Sequence, residues 1–197
     1  MAPFGRRTAL RGAAVLAGSG LLTGAAAGVL DELRWDLDAG PMSGEVLRTR
    51  ILSGIPASVA YGQPVTLGPV TVQLICSDQV SAGAWATGHN VLSAVFPVTV
   101  VVTDARGLSG RFGVDVTIPR TPVPVEEGDF VLTGTATLSG GNTPAARNPG
   151  PMTVAVEPAA SGFVVLYSAR TGEAEPLECW LRLQPGQDPL LATIEVH

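Results

Sequence analysis

The chain of 197 residues has no lysine, only two histidines and only two cysteines, and each scarcity removes a class of chemistry. Abundant Ala, Gly, Pro and Val accompany the missing lysine, a combination that reads as the mark of a GC-rich gene rather than of selected chemistry. His197 is the last residue, so a Ser-His-Asp relay would have to run through His89, and no nucleophile elbow accompanies it. There is no pair of histidines at zinc-binding spacing, and Cys76 and Cys179 stand without a nearby histidine, so neither a zinc motif nor a cysteine dyad is written in the chain. Glu126-Glu127-Gly128-Asp129 offers oxygen atoms to calcium but lacks the spacing of a dedicated calcium loop, and it reads as a solvated acidic turn. Catalytic, cofactor and metal residues are accordingly assigned to none. Long runs of helix formers are missing too, and after residue 27 no stretch is apolar enough to span a bilayer.

The first 27 residues have the three parts of an export signal: Arg6-Arg7 and Arg11 with no acidic residue, an apolar middle from Ala13 to Leu22, and a small-residue end at Ala25-Ala26-Ala27. Arg6 and Arg7 point to the twin-arginine route, which tolerates the glycines that dilute the apolar run. The expected address is therefore secreted, extracellular or cell-envelope, with residues 28–197 as one β-sandwich domain. Without the leader, nine arginines face seventeen acidic residues, a net charge of −8. That balance argues against nucleic acid and against anionic membrane surfaces as partners.

Val, Thr, Gly and Pro dominate the rest, and period-two alternation recurs along it. Phe112, Val114, Val116 and Ile118 oppose Arg111, Asp115 and Thr117, and Phe130, Leu132, Ala136 and Leu138 oppose Thr133, Thr135 and Thr137. The same pattern marks Met152 to Val156 and Leu190 to Val196, and further strands are expected at Glu45 to Ser53, Val70 to Cys76, Phe96 to Thr103, Phe163 to Ala169 and Leu177 to Gln184. Phe163-Val164-Val165-Leu166-Tyr167 is apolar on both faces, which places it centrally. Pro185 and Gly186 suit a type II turn joining two neighbouring strands. About nine short strands at this spacing predict an all-β, antiparallel, immunoglobulin-like β-sandwich, with barrel closure as the alternative.

Two segments interrupt the strands. Ser77 to Ser93 carries Val80, Ala84, Gly88 and Leu92 at helical spacing, with glycines that keep any helix short. Pro119-Arg120-Thr121-Pro122-Val123-Pro124-Val125 favours extended chain outside a central strand and is expected to pass from one sheet to the other. Cys76 and Cys179 both fall on the apolar phase of their strands, which in an exported chain favours a Cys76–Cys179 disulfide worth roughly 4–5 kcal/mol, against the alternative of two unpaired core thiols. Trp180 is out of phase with Cys179 and so faces away from the core, while Trp85 lies near His89. Exposed tryptophans of this kind stack on sugars or dock partners. The blander expectation is that Ser77 to Ser93, or Leu33-Arg34-Trp35, covers Trp180 in a second small core.

TIPRTPVPVEEGDFVLTGTATL (Thr117 to Leu138) followed by LECWLRLQPGQDPLLATIEV (Leu177 to Val196) resembles a family of secreted actinobacterial β-sandwich domains of unknown function. Cys179, Pro185, Gly186, Gln187 and Asp188 match its late motif; Trp35-Asp36-Leu37 stands where that family has an aromatic-x-Cys step, with no cysteine. The resemblance implies a pairing of the family's early and late cysteines, for which this chain offers only Cys76 as a substitute partner of Cys179. The expected role is a secreted, non-catalytic envelope-associated binding or structural module whose partner is an envelope polymer or extracellular protein. A carbohydrate-binding module using Trp85 and Trp180 is the alternative, and a secreted hydrolase the third reading.

Overall fold

A computed structural model describes residues 32–52, 54–65, 70–125, 128–139 and 144–197. The leader with Arg6 and Arg7, and Glu126-Glu127 of the acidic turn, lie outside the described residues. The strands are β1 (Leu33–Asp38), β2 (Glu45–Leu52), β3 (Ser58–Val59), β4 (Val70–Cys76), β5 (Val91–Thr103), β6 (Ser109–Pro122), β7 (Phe130–Leu138), β8 (Gly150–Val156), β9 (Ala159–Tyr167), β10 (Ala174–Leu183) and β11 (Leu190–Val196). One helix, α1 (Asp78–Ala86), and a 3-10 turn at Gly40–Met42 complete the described elements.

The all-β, antiparallel expectation holds, but the architecture is a closed barrel rather than an immunoglobulin-like sandwich. Eight strands close a ring in the order β5-β6-β7-β4-β2-β1-β10-β9, with β9 pairing back onto β5. The other three strands branch from the ring as β8-β11-β3, with β3 paired parallel to β11. The branch exists because β5 changes partner along its length: Val91–Val95 pair with β9 and Val100–Thr103 with β8. Pro97, which has no N–H to donate, sits between those two ladders. At the same crossing Gly162 of β9 lets the two backbones approach, since a Cβ there would lie 3.0 Å from the Phe96 Cα and collide with the Val95 carbonyl. Alternation along each strand reports which face is dry; it does not report which strand comes next, and that is why it is equally compatible with a sandwich and a ring.

The proline run also differs from expectation. Pro119 to Pro122 continue β6 against β5 instead of leaving the sheet. They are tolerated because the β6–β7 ladder spans only Val114–Thr117 on β6, so beyond it β6 has a free edge. Between Leu92–Thr121 and Ala94–Ile118 the register also slips by one residue, a bulge on β6 at Pro119-Arg120. Likewise, the Gln184-Pro185-Gly186-Gln187 turn forms with Gly186 at φ +83° and the Gln187 N–H donating to the Gln184 carbonyl at 3.3 Å. It does not join neighbours, however: β10 pairs with β1 and β9, and β11 with β8 and β3. The turn carries the chain from the ring to the branch.

Helix α1 buries Val80, Ser81 and Ala84 and rests on the 3-10 turn, where Gly83 lies so near Pro41 that a Cβ would be 3.0 Å from its carbonyl oxygen. It ends in a Schellman arrangement, with the His89 N–H donating to the Ala84 carbonyl (3.1 Å) and the Gly88 N–H to the Trp85 carbonyl (2.9 Å). One hydrophobic cluster takes in Trp35, Leu166, Val116, Leu132 and Ile194, with Phe112 and Phe130 packed against it, so residues on both sides of the proline run share it.

Candidate functional site

The inward positions of the barrel change character along the strands. Near α1 they are large: Trp35 on β1, Phe96 on β5, Ile118 on β6, Leu132 on β7 and Leu166 on β9 are all buried. Towards the branch the same rows continue as Val98 and Val100 on β5, Val114 and Val116 on β6, and Val154 and Val156 on β8. These shorter side chains leave a partly open chamber of about 400 Å³, lined also by Ile51 and Ile55, Val70 and Val72 of β4, Ala136 and Leu138 of β7, and Leu191 of β11. Among the described residues every lining side chain except Thr137 is Val, Ile, Leu or Ala, and Thr137 belongs to the exposed phase of β7. The aliphatic side chains of such a wall offer dispersion contacts and exclusion of water. Ligand sites commonly occupy about 300–1,000 Å³ and are lined mainly by apolar groups, and eight-stranded barrels have room for one small ligand when their side chains do not fill them.

The residues singled out from the sequence lie elsewhere. Cys76 and Cys179 are buried free thiols, so the expected disulfide is not formed. In the ring β4 and β10 are separated by β2 and β1, three strand spacings or roughly 14 Å around the wall. Register adds to this: continuing the β2–β4 ladder sets Cys76 beside Leu47, which pairs with Trp35 and through it with Leu183, four residues along β10 from Cys179. A disulfide needs α-carbons within about 7 Å, and a shared core phase does not supply that. Burial pushes each thiol up to about 12, with Asp129 adding to the effect at Cys76 and Asp38 at Cys179, so both are held neutral.

His89 is buried, tucked in by the turn that ends α1. Its Nδ1 lies 2.9 Å from the Thr87 hydroxyl and 3.8 Å from a Glu175 carboxylate oxygen. Trp85 is partly exposed at the end of α1 and donates its indole N–H to the Pro124 carbonyl at 3.2 Å. Trp180 is 58% exposed on the outer face of β10, and nothing covers it among the described residues. The expected second core is absent there because Leu33-Arg34-Trp35 joins the same wall as β1, edge to edge with β10, and Trp35 turns inward opposite Leu183. Phe163 similarly corrects the reading of a strand buried on both faces: β9 lies between two strands, yet Phe163 is exposed while Val164 and Leu166 are buried. Trp180, Trp85 and His89 line no shared cavity among the described residues.

The chamber was missed in the sequence because an inward phase says nothing of volume. The usable signal was side-chain size: the inward row of β5 runs Leu92, Ala94, Phe96 and then Val98, Val100, Val102, and β8 repeats valine at Val154 and Val156. Residues 39–192 match a family of unknown function, DUF6801. Neither the curated proteins nor the solved structures contain a match to the chain.

Proposed function

The chain belongs to DUF6801, a family without an assigned role, and from the chamber we propose that it is an exported, non-catalytic binding module that takes up a hydrophobic molecule or the acyl portion of an envelope lipid. The observation that carries the reading is the chamber wall. About 400 Å³ bounded, among the described residues, by aliphatic side chains with Thr137 as the one polar exception favours an apolar guest and gives a polar one little to bond to, so a headgroup is expected to stay at the opening. Export through the leader would place such a carrier among envelope components, in keeping with the binding role expected from the sequence.

Titration with a fluorescent fatty acid tests this. Wild-type protein is expected to enhance the probe's emission saturably, and Ala136→Leu and Val114→Phe, which extend side chains into the chamber, are expected to weaken uptake at least about tenfold while keeping a cooperative thermal transition. Absence of saturable uptake by the wild type, or equal uptake by both filled variants, would remove the proposal.

A further inference from the structure

On the outer wall, β1, β10 and β9 run side by side, and their registers set a small grid of solvent-facing side chains. Asp38 of β1 is opposite Trp180 of β10, which is opposite Ser161 of β9; one step along, Asp36 is opposite Arg182 and Arg182 opposite Ala159. Asp36, Asp38, Trp180, Arg182 and Ala159 border a shallow groove of about 490 Å³. The carboxylates are held from behind: the Gln184 side-chain amide donates to one oxygen of Asp36 at 2.8 Å, and the Ser43 hydroxyl to one oxygen of Asp38 at 2.6 Å. Among the described residues the second oxygen of each carboxylate has no hydrogen-bond partner, and the Arg182 guanidinium takes part in no ion pair.

From this grid, and independently of the chamber, we propose that the β1–β10–β9 face binds a neutral, hydroxyl-rich glycan, with Trp180 as the stacking plane and Asp36, Asp38 and Arg182 as hydrogen-bonding partners. The indole face is electron-rich and attracts the C–H edges of a sugar ring, and its exposure on a rigid strand means that little ordering is required on binding. Carboxylates only accept hydrogen bonds and a guanidinium only donates them, whereas a hydroxyl does both, so one ligand chemistry satisfies the whole set. Charge selects further. Asp36 and Asp38 in the groove, with Glu178 next along the outer face of β10, outnumber Arg182 and Arg34, the latter next along the outer face of β1, and disfavour an acidic glycan. A protein interface centred on Trp180 is less well matched, because interface cores are depleted in charged residues and Trp180 has Asp38 directly opposite.

Native affinity electrophoresis of the whole protein tests the assignment, with gels containing soluble glucan, mannan or arabinogalactan as neutral probes and polygalacturonate as the acidic one. Retardation is expected by at least one neutral polymer and not by polygalacturonate. Trp180→Ala is expected to weaken that retardation about tenfold or more, Asp38→Asn by a smaller factor, and Trp85→Ala to leave it unchanged. Because Trp180 is outside the core, the thermal transition of Trp180→Ala should match the wild type, which separates lost binding from lost folding. No retardation by any neutral polymer, or equal retardation of Trp180→Ala, overturns the proposal. Self-association of the wild type in sedimentation, lost in Trp180→Ala with no glycan retardation in either, also overturns it and reassigns the face to contact with a second copy.

Discussion

Along β5, Leu92, Ala94 and Phe96 point into a filled interior, whereas Val98 and Val100, continuing the same alternation, border the chamber. The two halves of the barrel differ in two linked respects. Near α1 the ring is closed by β9, and Trp35, Ile118, Leu132 and Leu166 occupy its inside; beyond Pro97 the partner of β5 becomes β8, and the inward rows of β5 and β6 pass through Val98 and Val100 and through Val114 and Val116. A wall that diverges while its side chains shorten cannot reach packing density across the gap. The chamber therefore arises from topology and side-chain size acting together, with no change in the hydrophobic pattern.

Truncation should separate the halves most sharply. Leu166 has no exposed surface, and Leu166→Ala is expected to cost about 3–5 kcal/mol because it opens a cavity in packed surroundings. Val116→Ala enlarges a space that is already there and should cost about 1–2 kcal/mol, close to the transfer term alone. Urea titrations of both variants check this, and equal losses would mean that the halves are packed alike.

Thiol reactivity probes the filled half. Cys76 and Cys179 are buried with their pKa values pushed up to about 12, so at neutral pH the native protein should show almost no reaction with a thiol reagent. Two thiols per chain should react once it is unfolded in urea without reductant. None reacting under those conditions would restore the bridge expected from strand phase, and rapid reaction of the native protein would show that the closed half is loosely packed.

The smallest effect is expected from acid at the branched half. Asp104, in the turn between β5 and β6, accepts hydrogen bonds from the Leu108 and Arg106 N–H groups, each at 2.9 Å, and from the Asn148 side chain just before β8. The Leu108 hydrogen bond first, then those from Asn148 and Arg106 and the nearby Arg106 charge, hold its carboxyl below the ordinary range. A lowered folded-state pKa contributes stability that is present above the unfolded carboxyl value, near about 4, and is lost as pH falls through the folded value. Asp104→Asn should therefore flatten the dependence of Tm on pH below about 4, and an unchanged slope would show that the turn's charge does not couple to folding.

What the sequence determined by itself was local. β4 and β7 run over Val70–Cys76 and Phe130–Leu138 as their alternation predicts, the Pro185-Gly186 turn forms, and the short helix within Ser77 to Ser93 ends where its glycine allows. Each depends on contacts between residues a few positions apart, or on which face of a strand is dry. Tertiary structure alone decided that β9 closes onto β5, that β10 and β11 part company, that Pro119 to Pro122 lie along a free strand edge, and that Cys76 and Cys179 stay separate. It also decided that Trp180 remains uncovered beside Asp38 and that the valine rows face empty space. Alternation specifies a side chain's face, whereas neighbours and enclosed volume depend on strand order and register across the whole sheet, and those are set by contacts far apart in the chain.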